Sequence, residues 1–158
     1  MPANLLLIRA YSRKFVNRIC SSNPFNKIEK VPYFVTSEAQ GGGISMIVSI
    51  ENAEHYLWGE VCDGWPLLKR EDVSVIQERV PAGGAEVMHY HEKARQFFYI
   101  LEGEGSMALE DTIIVLKRGQ GMEIAPQVRH RFQNTSNADV HFLVISVPST
   151  RGDRINLS

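Results

Sequence analysis

Hydrophobic and polar residues alternate in short runs from residue 44 onward, a pattern typical of β-strands. The runs are rich in valine, isoleucine, phenylalanine and tyrosine, and turn-forming segments such as 81–84 and 102–105 separate them. We predict strands over residues 44–50, 73–80, 86–91, 96–101, 105–109, 112–116, 121–124, 130–134 and 140–147. Many short strands at even spacing indicate an all-β domain built as an antiparallel sandwich or barrel.

The first 40 residues follow a different pattern. Apolar residues at helical spacing, with arginines between them, predict an amphipathic helix that ends before Pro24; they are Leu5, Ile8, Phe15 and Ile19. Three consecutive glycines at 41–43 predict a flexible joint. We therefore expect a basic amphipathic extension and linker over residues 1–40, followed by one domain over residues 41–158.

Charge is unevenly distributed, because residues 1–28 contain arginine and lysine but no acidic residue. Three interpretations of this segment stay open. It is a peripheral helix or arm that packs on the domain or on a second subunit, an organelle-targeting presequence, or a helix on a membrane surface. The apolar run at 5–8 is too short for a transmembrane helix or a secretory signal, so we expect no transmembrane segment.

Overall composition narrows the possible partners and compartment. The net charge of −1 argues against nucleic acid, whose phosphates need a basic protein face. Cys20 and Cys62 form no metal-binding or disulfide pattern, which favours a reducing, cytoplasmic location. A chain of 158 residues buries a substantial core without a structural metal. Any metal in this protein is therefore free to have a functional role.

Candidate chemistry lies in a group of histidines. His89 and His91 are two residues apart in a predicted strand, so their side chains point to the same face and can reach one ion. Gln96 follows closely, and His130 lies in a later predicted strand. This pattern predicts a metal site. His55 and His141 lack such partners and are expected to be surface or packing residues.

The motifs around these histidines resemble those of the cupin superfamily, in particular of small cupins with a single domain. The first cupin motif, G-x5-H-x-H-x3-4-E-x6-G, is matched in every spacing by Gly83, His89, His91, Gln96 and Gly103, with glutamine replacing the glutamate. The second motif, G-x5-P-x-G-x2-H-x3-N, is matched by Gly119, His130 and Asn134. Ala125 and Gln127 stand where proline and glycine are usual.

The resemblance implies a jelly roll, or double-stranded β-helix, that holds one divalent transition metal, such as iron, zinc, manganese or nickel. The ligands carried over from the family are His89, His91, Gln96 and His130. Gln96 is either a weak fourth ligand or a hydrogen-bond donor to an imidazole. Because a glutamine does not offset metal charge, the site is expected to be electropositive and to favour an anionic substrate.

Side chains on the same strand faces as the ligands are expected to line a small-molecule pocket: Phe98, Ile100 and Phe132. Glu86 and Glu123 are candidate bases on neighbouring strands. The resemblance implies a metal-dependent enzyme, with dioxygenase-type chemistry slightly favoured over isomerase-type chemistry. The alternative is a non-catalytic module that binds or senses a small ligand. A homodimer is expected from the resemblance and from the sheet edges that a jelly roll leaves open.

Overall fold

Thirteen β-strands form the described part of a computed structural model, which covers residues 34–36 and 44–157. In chain order they are β1 Phe34–Thr36, β2 Ile44–Met46, β3 Tyr56–Trp58, β4 Cys62–Lys69, β5 Ser74–Val80, β6 His89–His91, β7 Arg95–Glu102, β8 Glu104–Leu109, β9 Ile113–Lys117, β10 Gly121–Ile124, β11 His130–Gln133, β12 Val140–Val147 and β13 Arg154–Asn156. Within the same residues, no helical segment has the length and apolar character that a membrane crossing requires.

The strands after residue 46 form two antiparallel sheets. The six-stranded sheet has the order β10-β7-β12-β5-β4-β3, and the five-stranded sheet has the order β13-β6-β11-β8-β9. Strands β1 and β2 form a separate two-stranded sheet. The two large sheets belong to one compact unit, Met46–Ser158. Their non-sequential strand order is that of a jelly roll.

The hydrophobic core lies between the two large sheets. Phe132 on β11 packs against Phe142 on β12 with ring centroids 4.1 Å apart, so one aromatic pair joins the sheets. Phe98 on β7 lies 6.0 Å from Phe132 with parallel rings. Inward and outward positions alternate along β7 and β12, and on β12 burial follows this alternation from Val140 to Ser146. The period-two pattern of the sequence therefore marks the inner faces of the barrel.

The all-β jelly roll expected from the sequence is confirmed. Strands β5 and β7 to β12 match the predicted runs with small differences at their ends, and the predicted strand over 86–91 is a strand only at His89–His91. The predicted strand over 44–50 is a strand only at Ile44–Met46. Four strands were not predicted from the sequence, namely β1, β3, β4 and β13. The expected N-terminal helix and Cys20 lie outside the described residues.

The motif residues between the strands have clear structural roles. Gly103 has a φ of 79°, and a Cβ at this position would lie 2.5 Å from the carbonyl oxygen of Asp139. Only glycine fits there, because L side chains rarely adopt that backbone conformation. Asn134 is fully buried and donates to the carbonyl oxygens of Val80 and Ala138 at 2.8 and 2.7 Å. These residues hold the turns that bring the histidine strands together.

Candidate metal centre

Three histidines meet inside the barrel on adjacent strands of the five-stranded sheet. His89 and His91 lie on β6 and His130 lies on β11, where His130 pairs directly with His89. Their exposed fractions are 1%, 4% and 1%. Each contributes one ring nitrogen to a group whose members all lie within 4.8 Å of one another. The three residues form a group that could hold a metal ion.

Backbone contacts orient two of these rings. Nδ1 of His89 lies 2.9 Å from the carbonyl oxygen of Val87, and Nδ1 of His130 lies 2.8 Å from that of Val128. A carbonyl oxygen only accepts, so each Nδ1 carries the proton and donates it. In the neutral ring, Nε2 is then the unprotonated nitrogen. Both Nε2 lone pairs are available as metal donors, which is the usual arrangement for a ligating histidine.

His91 is exceptional because neither ring nitrogen has a hydrogen-bond partner among the described residues. The nearest carboxylate oxygen belongs to Asp153, 3.9 Å from Nδ1. That carboxylate is already engaged, since it accepts the backbone N–H of Ala94 at 2.8 Å. A buried polar atom without a partner is costly, so an unpaired imidazole at 4% exposure is best explained by a ligand bound there.

The environment keeps all three rings neutral. Burial, with a smaller contribution from the positive charge of Arg154, lowers the pKa of His89 to about 3. Burial and the neighbouring His89 lower the pKa of His91 to about 4. Burial likewise lowers the pKa of His130. At neutral pH the rings are therefore uncharged, with one ring nitrogen of each unprotonated, which is the form that binds a metal.

Gln96 reaches the group from the opposite, six-stranded sheet. Its Nε2 donates to Ser146 Oγ at 3.4 Å, and its Oε1 lies 3.0 Å from His130 Nε2. Both atoms of the shorter contact are acceptors when His130 is neutral and protonated on Nδ1. Two lone pairs at this distance repel each other, and a cation that both atoms coordinate would offset that repulsion. The donor set, three neutral imidazoles and an amide oxygen, suits a divalent transition metal.

Of the three predicted pocket residues, Phe98 lies next to this group. Phe98 is 2% exposed and its ring lies edge-on to His130, with centroids 6.0 Å apart. Ile100 and Phe132 are fully buried in the core between the sheets. The structure brings all three onto the inner faces of the barrel. Their contact with a substrate stays a prediction.

The candidate bases separate into two environments. Glu123 is exposed on the outer side of β10 and forms an ion pair with Arg95. Glu86 points inward: its Oε2 accepts the backbone N–H of Phe132 at 2.9 Å, and its Oε1 accepts a bond from Arg154 at 3.2 Å. Of the two, only Glu86 lies close to the histidine strands.

Glu78 and Tyr56 are interior polar groups that the sequence did not identify. Glu78 lies on β5 at 9% exposure, and the hydroxyl of Tyr56 on β3 donates to it at 3.4 Å. The signal for Glu78 was present in the predicted strand over 73–80, because Ser74, Glu78 and Val80 share the inward face. Tyr56 had no comparable signal, since strand β3 itself was not predicted.

Comparisons with known proteins agree with this architecture. Residues 76–146 match the family model described as "Cupin domain". An uncharacterised protein of Methanocaldococcus jannaschii is 32% identical over 75 residues, which is 48% of this chain and 60% of that protein. The chain thus spans less than two thirds of this relative.

Solved structures show the same fold. The polyketide cyclase RemF from Streptomyces resistomycificus has a TM-score of 0.64 at 18% identity, over 72% of this chain and 86% of that one. A sugar phosphate isomerase of the cupin superfamily from Silicibacter pomeroyi has a TM-score of 0.58 at 16% identity, over 65% and 76%. With the motif residues in place and the family model matched, residues 76–146 of this chain form a cupin domain.

Proposed function

We propose that the protein is a metal-dependent enzyme that acts on a small, oxygen-bearing organic molecule. His89, His91 and His130 would hold one divalent transition metal, and Gln96 would supply its amide oxygen as a weak fourth ligand. The observation that carries the proposal is the group of three buried histidines, each of which offers one ring nitrogen within 4.8 Å of the others.

The charge of this site favours an anionic substrate. None of the four donors is a carboxylate, so the full charge of a divalent ion would remain uncompensated by its ligands. When bound, the metal supplies a Lewis acid that polarises a substrate oxygen. The apolar walls formed by Phe98 and Phe132 exclude water, which strengthens that interaction.

We favour proton-transfer chemistry, of the isomerase type, for the reaction. The interior of the barrel contains a buried carboxyl group, Glu78, which accepts a hydrogen bond from the Tyr56 hydroxyl, and such a group can exchange protons with a bound molecule. The cyclase and isomerase among the structural relatives support the fold and leave the reaction to experiment.

A dioxygenase is the second candidate. A three-histidine group with a weakly held amide leaves coordination positions open, which is what oxygen activation on iron requires. Metal identity distinguishes the two candidates, since iron supports oxygen chemistry and zinc does not. Metal binding without any turnover would instead indicate a ligand-binding module.

Metal analysis of the purified protein tests the proposal directly. We expect about one divalent ion per chain in the wild type, and a loss of affinity of about tenfold or more in His91→Ala. His141→Ala on β12 is the matched control, because His141 lies outside the histidine group and its loss should leave the metal content unchanged. Equal metal content in His91→Ala and the wild type would contradict the proposed site.

Activity assays then separate the reaction classes. Iron-loaded protein is tested for oxygen uptake with catechol-, thiol- and diketone-type compounds. Zinc- or manganese-loaded protein is tested for exchange of substrate C–H protons with deuterium from solvent. Oxygen uptake without exchange would favour the dioxygenase, and exchange without uptake would favour the isomerase class.

We also propose that the outer face of the six-stranded sheet joins two copies of the chain. Apolar side chains continue across three strands there, because Val75, Ile145 and Phe97 pair in register. Phe97 and Tyr99 are 40% and 38% exposed on this face. A size-exclusion experiment should show a dimer that Phe97→Glu converts to a monomer. A monomeric wild type would contradict this proposal.

A further inference from the structure

Glu78 occupies an unusual position for a carboxyl group. It lies in the middle of β5, on the inner face of the six-stranded sheet, between Gly64 on one neighbouring strand and Phe142 on the other. Phe142 is fully buried and Glu78 itself is 9% exposed. An acidic side chain is seldom buried among apolar groups unless it is paired or serves a function.

The structure makes room for one specific partner of this carboxyl group. Tyr56 pairs with Gly64 across β3 and β4, and Gly64 pairs with Glu78 across β4 and β5. A Cβ on Gly64 would lie 2.3 Å from Cζ of Tyr56. The tyrosine ring therefore crosses β4 over a position that has no side chain, and its hydroxyl reaches Glu78 Oε1 at 3.4 Å.

The charges around Glu78 come from three elements. Glu86, before β6, and Arg154, on β13, act on it together with Tyr56. Burial, and then the negative charge of Glu86, raise the pKa of Glu78 to about 8. Burial also raises the pKa of Tyr56 above its ordinary value, so its hydroxyl remains a donor. A carboxyl group that is present in both its protonated and its ionised form near neutral pH is suited to general acid–base catalysis.

Glu86 and Arg154 connect this pair with the histidine group. Glu86 binds the backbone N–H of Phe132, two residues after His130, and also binds Arg154. Arg154 in turn pairs in register with His91. Its positive charge lowers the pKa of both Glu78 and His89. The ion pair of Glu86 and Arg154 thus lies beside the histidine strands and acts on Glu78 as well.

We infer that Glu78 is the catalytic acid–base residue of the reaction in this barrel, with Tyr56 as its positioning partner. The inference rests on the proposed function and deepens it. It names the substrate class, a carbonyl compound with an acidic C–H bond next to the carbonyl carbon. The ionised Glu78 carboxylate takes the proton, the C–H bond breaks, and its electron pair moves onto the substrate oxygen. Return of the proton from Glu78 to carbon completes the step without an oxidant.

Deuterium wash-in tests this inference with acetylacetone and hydroxypyruvate as probes. Zinc-loaded protein in D₂O is followed by proton NMR, and the metal content of every variant is measured alongside. We expect Glu78→Gln to slow the exchange by about 100-fold or more at unchanged metal content. Glu78→Asp should keep part of the exchange rate. Tyr56→Phe should shift the pH dependence of the exchange rate. Glu104→Gln, in an exposed ion pair with Lys117, should leave the rate unchanged.

Infrared spectroscopy supplies a readout that does not depend on activity. The wild type minus Glu78→Gln difference spectrum at pH 6 should contain the C=O band of an un-ionised carboxylic acid, and the band should disappear at high pH. Its absence at pH 6 would overturn the inference. Exchange by Glu78→Gln at the wild-type rate would also overturn the inference, and would leave the proposed metal-dependent function standing. If the metal-loaded wild type exchanges neither probe, both the inference and the isomerase-type function are overturned. If the wild type binds no metal, the proposed function is overturned, and the inference that rests on it falls too.

Discussion

Gln96 Oε1 lies 3.0 Å from His130 Nε2, so the amide from one sheet meets the imidazole from the other at the centre of the barrel. The family motif has glutamate at this position. Replacing it by glutamine removes one negative charge from the donor set while keeping an oxygen at the same place. The charge of the site, and not its geometry, is what distinguishes this chain.

Gln96→Glu should bind a divalent metal more tightly than the wild type, by about tenfold or more. A carboxylate compensates part of the metal charge, which an amide oxygen cannot do. Competition with a chromophoric chelator measures the change. Gln96→Leu is the control of similar size without an oxygen donor, and it should bind more weakly than the wild type. Equal affinities for all three proteins would show that Gln96 is remote from the metal.

Gln127→Gly should raise the free energy of unfolding by about 1 kcal/mol. Gln127 has a φ of 67°, in the left-handed region that glycine adopts without strain, and it occupies the position of the motif glycine. Its backbone N–H donates to the carbonyl oxygen of His91 at 2.7 Å, so the turn itself must stay. Urea denaturation measures the gain. Gln127→Ala keeps the Cβ and should show no comparable gain.

The stability of the wild type should fall relative to Glu78→Gln as pH rises from 4.5 to about 8. In that range the folded protein keeps the Glu78 proton while the unfolded chain loses it, so rising pH favours unfolding. The limiting slope is about 1.4 kcal/mol per pH unit. Parallel denaturation curves at several pH values test this. Equal pH dependence of the two proteins would mean that Glu78 is ionised when folded.

Gly64→Ala should displace Tyr56 and weaken its bond to Glu78. The added Cβ would meet the tyrosine ring at 2.3 Å, and a forced fit in a packed interior typically costs about 1–3 kcal/mol. Because that bond lowers the pKa of Glu78, its loss should raise the pKa further. Thermal denaturation and the infrared carboxyl band measure the two effects. In a Tyr56→Ala background the same substitution should cost little.

Cys62 should be unreactive toward thiol reagents in the folded protein. It is fully buried, and burial together with the charge of Glu78 raises the pKa of its thiol to about 11. At pH 8 only about one thiol in a thousand is then the reactive thiolate. Labelling of a Cys20→Ser variant with a chromogenic disulfide isolates this residue. Fast labelling before denaturant is added would contradict the structure.

Two of the strands that the sequence predicted show a clean period of two, and their inward faces are buried in the barrel. They are β7 from Arg95 to Ile100 and β12 from Val140 to Val147, because each alternates between buried and more exposed positions. Strand β4 was missed since its apolar residues do not alternate with polar ones, and Pro66 and Gly64 weaken the signal. Strand β13 is short and gains its order from pairing with β6.

The histidine group was predictable because spacing within a strand fixes which side chains share a face. The two-residue spacing of His89 and His91 is by itself enough to place both side chains on the same face. The contribution of Glu78 depends on packing between strands that are distant in sequence. Its burial, its distance from Tyr56 and the charge of Glu86 are properties of the folded barrel. A sequence pattern can show that Glu78 points inward and cannot show what it meets there.

The pairing of β6 with β13 has a consequence for the order of folding. His89 and His91 lie on β6, whose outer neighbour β13 begins at Arg154. Just before β13, the carboxylate of Asp153 accepts the backbone N–H of Lys93, 60 residues earlier in the chain, and so holds the turn that follows β6. Contacts of such sequence separation form late, because the loop must close first. Cobalt absorbance during refolding should therefore develop with the slowest fluorescence phase. Early in folding the imidazoles are still apart and cannot bind one ion together. The metal site therefore forms only in the last step of folding, and the rate of that step sets the rate of metal binding.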